Sequence, residues 1–441
     1  MATASKRQFL EMNGYQWAVL FAAWLGWGFD VFDSLLFNFV APSCIPNLLG
    51  IPIGSPEAKG PTLLWVGWLS SLLLIGWAIG GIVFGRICDR IGRTKTLLLT
   101  MLLYSVGTAL CAVAPNVWLL MLFRFIASLG IGGEWAAGAS MVAEVVPEKR
   151  RVEAGALLYT SAPMGLFLAT YVTYQIQGVH FKSTPEVAWR YVFLFGLIPA
   201  AAAFLVRLFI KEPERWQKVA DVVEQHSIKE IFTPEFRAIT LSGLAMATIA
   251  LIMWWSCNAF IPTIATGMAR EWAPAHGLDP RQLGEEWKKF AANLFNIGGL
   301  LGTLLTIPVA KYLGRKMMYF VYFLLSGLAI IGTFALDIPS DQRLYGFFFI
   351  GLTVFGVFGS FTYYLPELFP TRLRATGAGF CYNAGRFIAS VGPFIVGSIA
   401  AQGANAHESA MNVLVYVGAV PLLGLLLLPW VHETKGKALA D

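Results

Sequence analysis

Gly85-Arg86-Ile87-Cys88-Asp89-Arg90-Ile91-Gly92-Arg93 is a charged, glycine-bounded loop set between two long apolar runs, and part of it returns later in the chain. Gly76, Gly80, Gly92 and Arg93 recur 222 residues on as Gly298, Gly302, Gly314 and Arg315. Glu144, Pro147 and Arg151 recur 223 residues on as Glu367, Pro370 and Arg374. Two blocks kept at nearly one offset mark an internal duplication. Each block holds the same place in its half: glycines in the second apolar run and its exit loop, then the acid, proline and arginine after the fourth run.

Composition says what is duplicated. Of 441 residues 57% are apolar and 13% charged, against roughly 25% charged for an ordinary soluble domain. A bilayer span needs about 20 mainly apolar residues, and twelve stretches qualify: 16–41, 62–87, 96–114, 117–144, 153–177, 188–210, 238–267, 291–312, 317–336, 344–366, 374–401 and 411–431. The expected fold is therefore an all-α membrane protein of twelve transmembrane helices. Residues 1–210 form one six-helix half and 238–441 the other, with 211–237 as a cytoplasmic linker. That linker carries Lys211-Glu212-Pro213-Glu214-Arg215 and then a helical pattern from Trp216 to Ile231, which reads either as a helix on the membrane surface or as a solvated tether. The connector from about 267 to 289 carries Trp272 and Trp287, which fit an interfacial belt.

The net charge of +6 follows from topology. Of the 32 Lys and Arg, 22 fall in connectors on the side of the N-terminus and 8 on the other, with Arg124 and Arg386 inside spans. This bias places both termini in the cytoplasm of a plasma (inner) membrane, and it accounts for the basic balance without a nucleic-acid partner. The five cysteines are scattered, with no spacing suited to a disulfide or a metal site. The first fifteen residues hold no cleavable leader pattern, so the first span is expected to be retained.

Charges inside spans carry the functional reading. Asp30 and Asp33 stand three residues apart in an apolar run, on one helix face. Ionised carboxylates in hydrocarbon cost several kcal/mol, so they are normally turned toward a watery cavity or a partner. This face is expected to line a transport pathway. Counting residues from the span ends at about 1.5 Å each puts Arg124 of span 4 at the same level. Arg386, near the middle of span 11, presents a planar fork suited to a carboxylate, with Asn383 on the same face and Asn258 on span 7 as further polar contacts. The alternative is that Arg386 pairs with an acid of the first half as a latch between the halves. Glu134, between Gly133 and Trp135, reads as a second proton stop or as a neutral packed acid. Trp24, Trp27, Trp254 and Trp255 read as packing or as walls of a cavity. Glycines four apart on spans 2 and 8 read as close helix contacts. The five histidines fall in connectors or at span ends, which argues against imidazole proton transfer. The chain has no Walker-type loop, dinucleotide fingerprint or nucleophile elbow. No enzyme activity and no cofactor are expected; the energy source is a proton gradient.

The Gly85–Arg93 loop and the two six-span halves resemble the major facilitator superfamily, over the whole chain. Arg124 followed by Gly130 and Gly132 is similar to its fourth-span motif. Gly28-Phe29-Asp30 with Asp33, and Gly132-Gly133-Glu134-Trp135, look most like its organic-acid/proton symporters, the sialate, monocarboxylate and aromatic-acid groups. The resemblance implies that Asp30 and Arg124 form a proton-dependent switch, with Asp33 as the second acid. It further implies gating by Asp89, Arg93, Glu144, Arg151, Glu367 and Arg374. Lys311 stands where Asp89 has its counterpart, a departure that puts a symmetrical latch in doubt. The expected activity is alternating-access symport of a small organic anion, such as lactate, sialate or an aromatic acid, with a proton, by a monomer in the lipid bilayer. A sugar or polyol symporter or an exchanger is the rival, the latter disfavoured by Ala162-Pro163 where antiporters often carry Gly-Pro. A transporter-like sensor is a more distant alternative, because linker and tail are small.

Overall fold

The computed structural model describes residues 12–91, 93–147, 150–198, 201–202, 205, 228–370, 373–403 and 405–435. Ten helices among them are long and apolar enough to cross a bilayer, and Val117–Gly133 is a shorter apolar one. The first half comprises α1 (Gly14–Leu49), α2 (Pro56–Ile91), α3 (Arg93–Ala112), α4 (Val117–Val145), α5 (Arg151–Tyr159 and Ser161–Thr173, closing in the π-helical Tyr174–His180) and α6 (Pro185–Phe195). The second comprises α7 (Arg237–Asn258 and Ile261–Trp272), α8 (Pro280–Leu313), α9 (Arg315–Ala335), α10 (Ser340–Glu367), α11 (Arg374–Ala389 and Val391–Gln402) and α12 (Ala406–Trp430). Helices alternate in direction, so one end of the molecule carries both termini. We call this the terminus side and the opposite end the far side.

Several helices outrun the expected apolar stretches. α1 continues past residue 41 through Pro42 and Pro46 to Leu49, where Gly50 at φ +70° ends it and donates back to Pro46 and Asn47 carbonyls. The far-side connector expected over 267–289 shrinks to residues 273–279. Trp272 and Trp287 pack on each other there, ring centroids 5.4 Å apart, and Trp287 is buried. A hydropathy window cannot register these turns, because helix persists where polar side chains dilute the apolar signal.

Four helices are broken in their middles, at one sequence signal. α5 breaks after Tyr159, α7 after Asn258, α11 after Ala389 and α12 after Val417. Each of these lies four residues before a proline: Pro163, Pro262, Pro393 and Pro421. A proline lacks the N–H that would bond the carbonyl four residues back, and its ring crowds that carbonyl.

Glycine spacing sets the closest contacts within each half. Side-chain carbons at Gly80 and Gly132 would overlap the carbonyls of Leu129 and Trp77, which seats α2 on α4. Gly298 and Gly302 meet the Phe348 and Leu352 carbonyls in the same way, seating α8 on α10. Between the halves, α2 runs along α11 and α5 along α8, and Ser71 on α2 donates 2.6 Å to the Ser390 carbonyl at the α11 break.

Candidate functional site

A cavity lies where α1, α2 and α5 of the first half face α7, α10 and α11 of the second. Trp27, Trp77, Tyr159, Trp254, Trp255, Phe358 and Tyr382 make most of its wall, and among the described residues Arg386 supplies its one cation. Its volume of about 30 Å³ admits water-sized matter and no organic molecule. The rings brace one another across the gap between halves. Trp77 meets Trp255 at 5.9 Å and Tyr159 meets Phe358 at 6.1 Å, each pair joining one half to the other.

Arg386 is 2% exposed and lies in an aromatic sandwich. Its guanidinium carbon stands 4.2 Å from the Trp77 ring and 4.3 Å from the Tyr382 ring, and Nη1 donates 3.1 Å to Asn383 Oδ1. Two ring faces and an amide contribute to holding the charge. Asn383 therefore orients Arg386 and packs against α2 at Gly81, rather than facing the cavity. Asn258 is buried at the α7 break, off the cavity wall.

The acids of α1 sit differently from the expected arrangement. Val31, Ser34 and Leu35 line the cavity, while Asp30 and Asp33, each 1% exposed, lie on the adjoining face. Asp33 Oδ2 accepts 2.7 Å from Thr108 Oγ1 on α3. Arg124 reaches α1 from α4 as the level count predicts, but it donates to the Asp33 and Ser34 carbonyls, at 3.3 and 2.5 Å. Asp33 is thus turned toward α3 of its own half, and neither acid is on the wall of this cavity in this conformation. The three-residue spacing sets Asp30 and Asp33 beside the cavity wall, and the bond to Thr108 on α3 decides which way Asp33 looks.

Contacts between halves close both ends of the cavity. On the far side, Lys59 Nζ meets Glu271 at 2.6 Å, and the buried Lys288 donates 3.1 Å to both the Phe39 carbonyl and Gln177 Oε1 while pairing with Glu285 at 2.6 Å. On the terminus side, Lys311 Nζ meets Glu153 at 2.6 Å. The residue that breaks the internal symmetry is thus itself a bond between halves.

In the second copy of the repeated loop, Arg315 takes Glu367 in a two-pronged bond of 2.8 and 3.1 Å. Glu433, beyond α12, accepts the Arg315 and Lys316 amides at the start of α9, at 3.0 and 3.1 Å. Gly314, at φ +89°, lets the chain turn there. The side chains of Asp89, Arg93, Glu134, Glu144, Arg151 and Arg374, and residues 211–227 of the linker, lie outside the described residues. Beyond them, Ile228–Phe232 is a 3-10 turn.

Residues 17–393 match the model of the major facilitator superfamily. The chain belongs to that family. Similar relatives include a probable 4-methylmuconolactone transporter of Cupriavidus pinatubonensis, 26% identical over 95% of this chain and 91% of that one. The sialic acid transporter NanX of Escherichia coli is 26% identical over 99% and 98%. Among solved structures, the xylose transporter XylE of E. coli in a partially occluded inward-open conformation superposes with a TM-score of 0.73 at 19% identity, covering 97% of this chain and all of that one. At that identity the likeness shows the fold alone. This facilitator is a multi-pass membrane transporter whose relatives carry organic acids, and it is no enzyme.

Sequence reasoning missed Trp77, Tyr159, Phe358, Tyr382 and Thr108. Two carried a signal: Tyr382 is one helical turn before Arg386, and Tyr159 is four residues before Pro163.

Proposed function

We propose that this facilitator is a proton-coupled symporter of a small organic monocarboxylate, with flat unsaturated or aromatic acids ahead of sialate. The observation that carries it is the single guanidinium, shared between Trp77 of one half and Tyr382 of the other, on a wall otherwise built of rings. A carboxylate would displace ring faces from the fork, and a flat apolar body would stack where the rings now meet one another. A sugar, or the hydroxyl-rich sialate, would leave hydroxyls unsatisfied against such a wall.

Coupling follows from charge. A monoanion crossing with one proton carries no net charge, and the cost of moving a bare anion through hydrocarbon is avoided. Asp30 and Asp33 are assigned the proton and Arg124 its release; Arg124 holds the α1 carbonyls beside Asp33. Glu134 is assigned a secondary proton role, and the loop residues Asp89, Arg93, Glu144, Arg151, Glu367 and Arg374 gating. The terminus side is taken as cytoplasmic and the monomer as the working unit.

The test is uptake into proteoliposomes under an imposed pH gradient, comparing benzoate, lactate, pyruvate and sialate with glucose and xylose. Gradient-driven accumulation of benzoate is expected. Accumulation of neutral sugars alone would overturn the assignment of Arg386.

A further inference from the structure

Thr108 of α3 meets the second acid of α1. Its Oγ1 donates 2.7 Å to Asp33 Oδ2, and both side chains are buried. Thr62, Thr170, Thr266 and Thr303, buried like it, each donate to a carbonyl four residues back on their own helix. Thr108 instead turns its hydroxyl across to another helix and takes a carboxylate. That choice needs a reason.

The rest of the acid's surroundings narrow the reason. Oδ1 of Asp33 is buried and, among the described residues, makes no hydrogen bond. It looks toward Gly196, just past α6, where a side-chain carbon would stand 3.3 Å away. Arg124 of α4 donates to the Asp33 and Ser34 carbonyls, and Arg190 of α6 to the Ala112 and Ala114 carbonyls at the end of α3. The Cys111 thiol, one turn beyond Thr108, lies near enough to feel the charge of Asp33, and Asp30 is one turn back on α1. Among the described residues, the Thr108 hydroxyl is thus the one side-chain hydrogen bond to this carboxylate.

A hydroxyl suits an acid that changes state. It carries one proton and two lone pairs, and it can rotate. Toward the ionised carboxylate it donates. If a proton then binds at Oδ1, Oδ2 becomes the carbonyl oxygen and still accepts from Thr108; if it binds at Oδ2, Thr108 accepts it and turns its own proton to the α3 carbonyl one turn back. A lysine there would serve only one of the two states.

We infer that Thr108 is a positioning residue for proton exchange at Asp33, holding the carboxyl in one orientation through both protonation states, next to Ser34 on the cavity wall. The inference rests on the proposed assignment of the proton to Asp33 and is independent of which cargo is carried.

Infrared difference spectra of the full-length protein in nanodiscs, taken between neutral and acid pH, test it without a cargo. A carboxyl band that appears on acidification and is missing in Asp33→Asn marks the acid. Thr108→Val keeps the side-chain volume and Thr108→Ala reduces it; both are expected to shift that band, and Thr108→Ser to return it to the wild-type position. A band unmoved in both variants overturns the role of Thr108. No band lost in Asp33→Asn overturns the proton assignment and this inference with it. In proteoliposomes Thr108→Val is expected to slow gradient-driven uptake of benzoate about tenfold, the loss expected for one hydrogen bond to a charged group, while counterflow exchange falls less than about twofold. Equal loss of both activities that Thr108→Ser does not restore makes Thr108 a packing residue and overturns the inference. A shifted band with no uptake of benzoate upholds Thr108 and refutes only the choice of cargo.

Discussion

Arg386 shows how a charge can be held in the interior of a helical bundle. Its guanidinium is stacked between the Trp77 and Tyr382 rings, and Asn383 orients its fork. Arg386→Lys keeps the charge but loses the planar stack, so half-saturation for benzoate uptake is expected to rise at least tenfold, or about 1.4 kcal/mol. Transport assays at fixed pH read this directly. On α1, Asp33→Asn is expected to abolish pH-driven accumulation while counterflow exchange persists, since an amide mimics the protonated acid but cannot release a proton. Equal loss of both activities would point to a structural role for Asp33. The charged residues were readable because charge in an apolar run is conspicuous. Thr108 was not, because one threonine in a span looks like any other until the fold sets it against Asp33.

Between elements, the decisive features are small residues and cross-half bonds. Gly302→Leu would drive a side chain into the Leu352 carbonyl, and such overpacking typically costs about 1–3 kcal/mol. A lower unfolding temperature in detergent, with α8 and α10 forced apart, is the expected result. Lys311 and Glu153 are partly exposed, so their bond contributes little to stability and more to the balance of conformations. Lys311→Glu is expected to open the terminus side, read as faster labelling of a cysteine placed at residue 362; adding Glu153→Lys should restore the wild-type rate. At the start of α9, burial pulls the Glu433 carboxyl up, but the amides of Arg315, Lys435 and Lys316 and the Arg315 charge together hold it below the usual carboxylate range. Its stabilising effect is therefore present above the ordinary carboxylate pKa and is lost as pH falls through the lowered value. Melting curves should show a steeper loss of stability below about pH 4.5 in wild type than in Glu433→Gln. The proline breaks were legible in principle from sequence, since each lies four residues ahead of a proline, whereas Pro42 and Pro46 sit in α1 without breaking it. What separates the two cases is the packing around the freed carbonyl, which no local pattern encodes.

Across the whole molecule, bonds between halves stand at both ends of a cavity too small for any organic molecule, so cargo could pass through it only if those contacts part. Lys288 is central to the far-side closure: it reaches from α8 into the first half while keeping its own partner Glu285. Lys288→Met should leave the fold intact and raise far-side accessibility, read as faster modification of a cysteine placed at residue 39. By itself the sequence determined the duplication, the span count, the sidedness of charge and which charged residues lie at mid-depth, because these depend on composition and spacing along one chain. Only the tertiary structure decided that α1 sets Asp33 against Thr108 of α3, that rings from both halves wall the cavity, and that Lys311 joins the halves. Those outcomes depend on which helix faces meet, and helices apolar on every side leave their rotation to the shapes and polar partners of neighbours that lie far away in sequence.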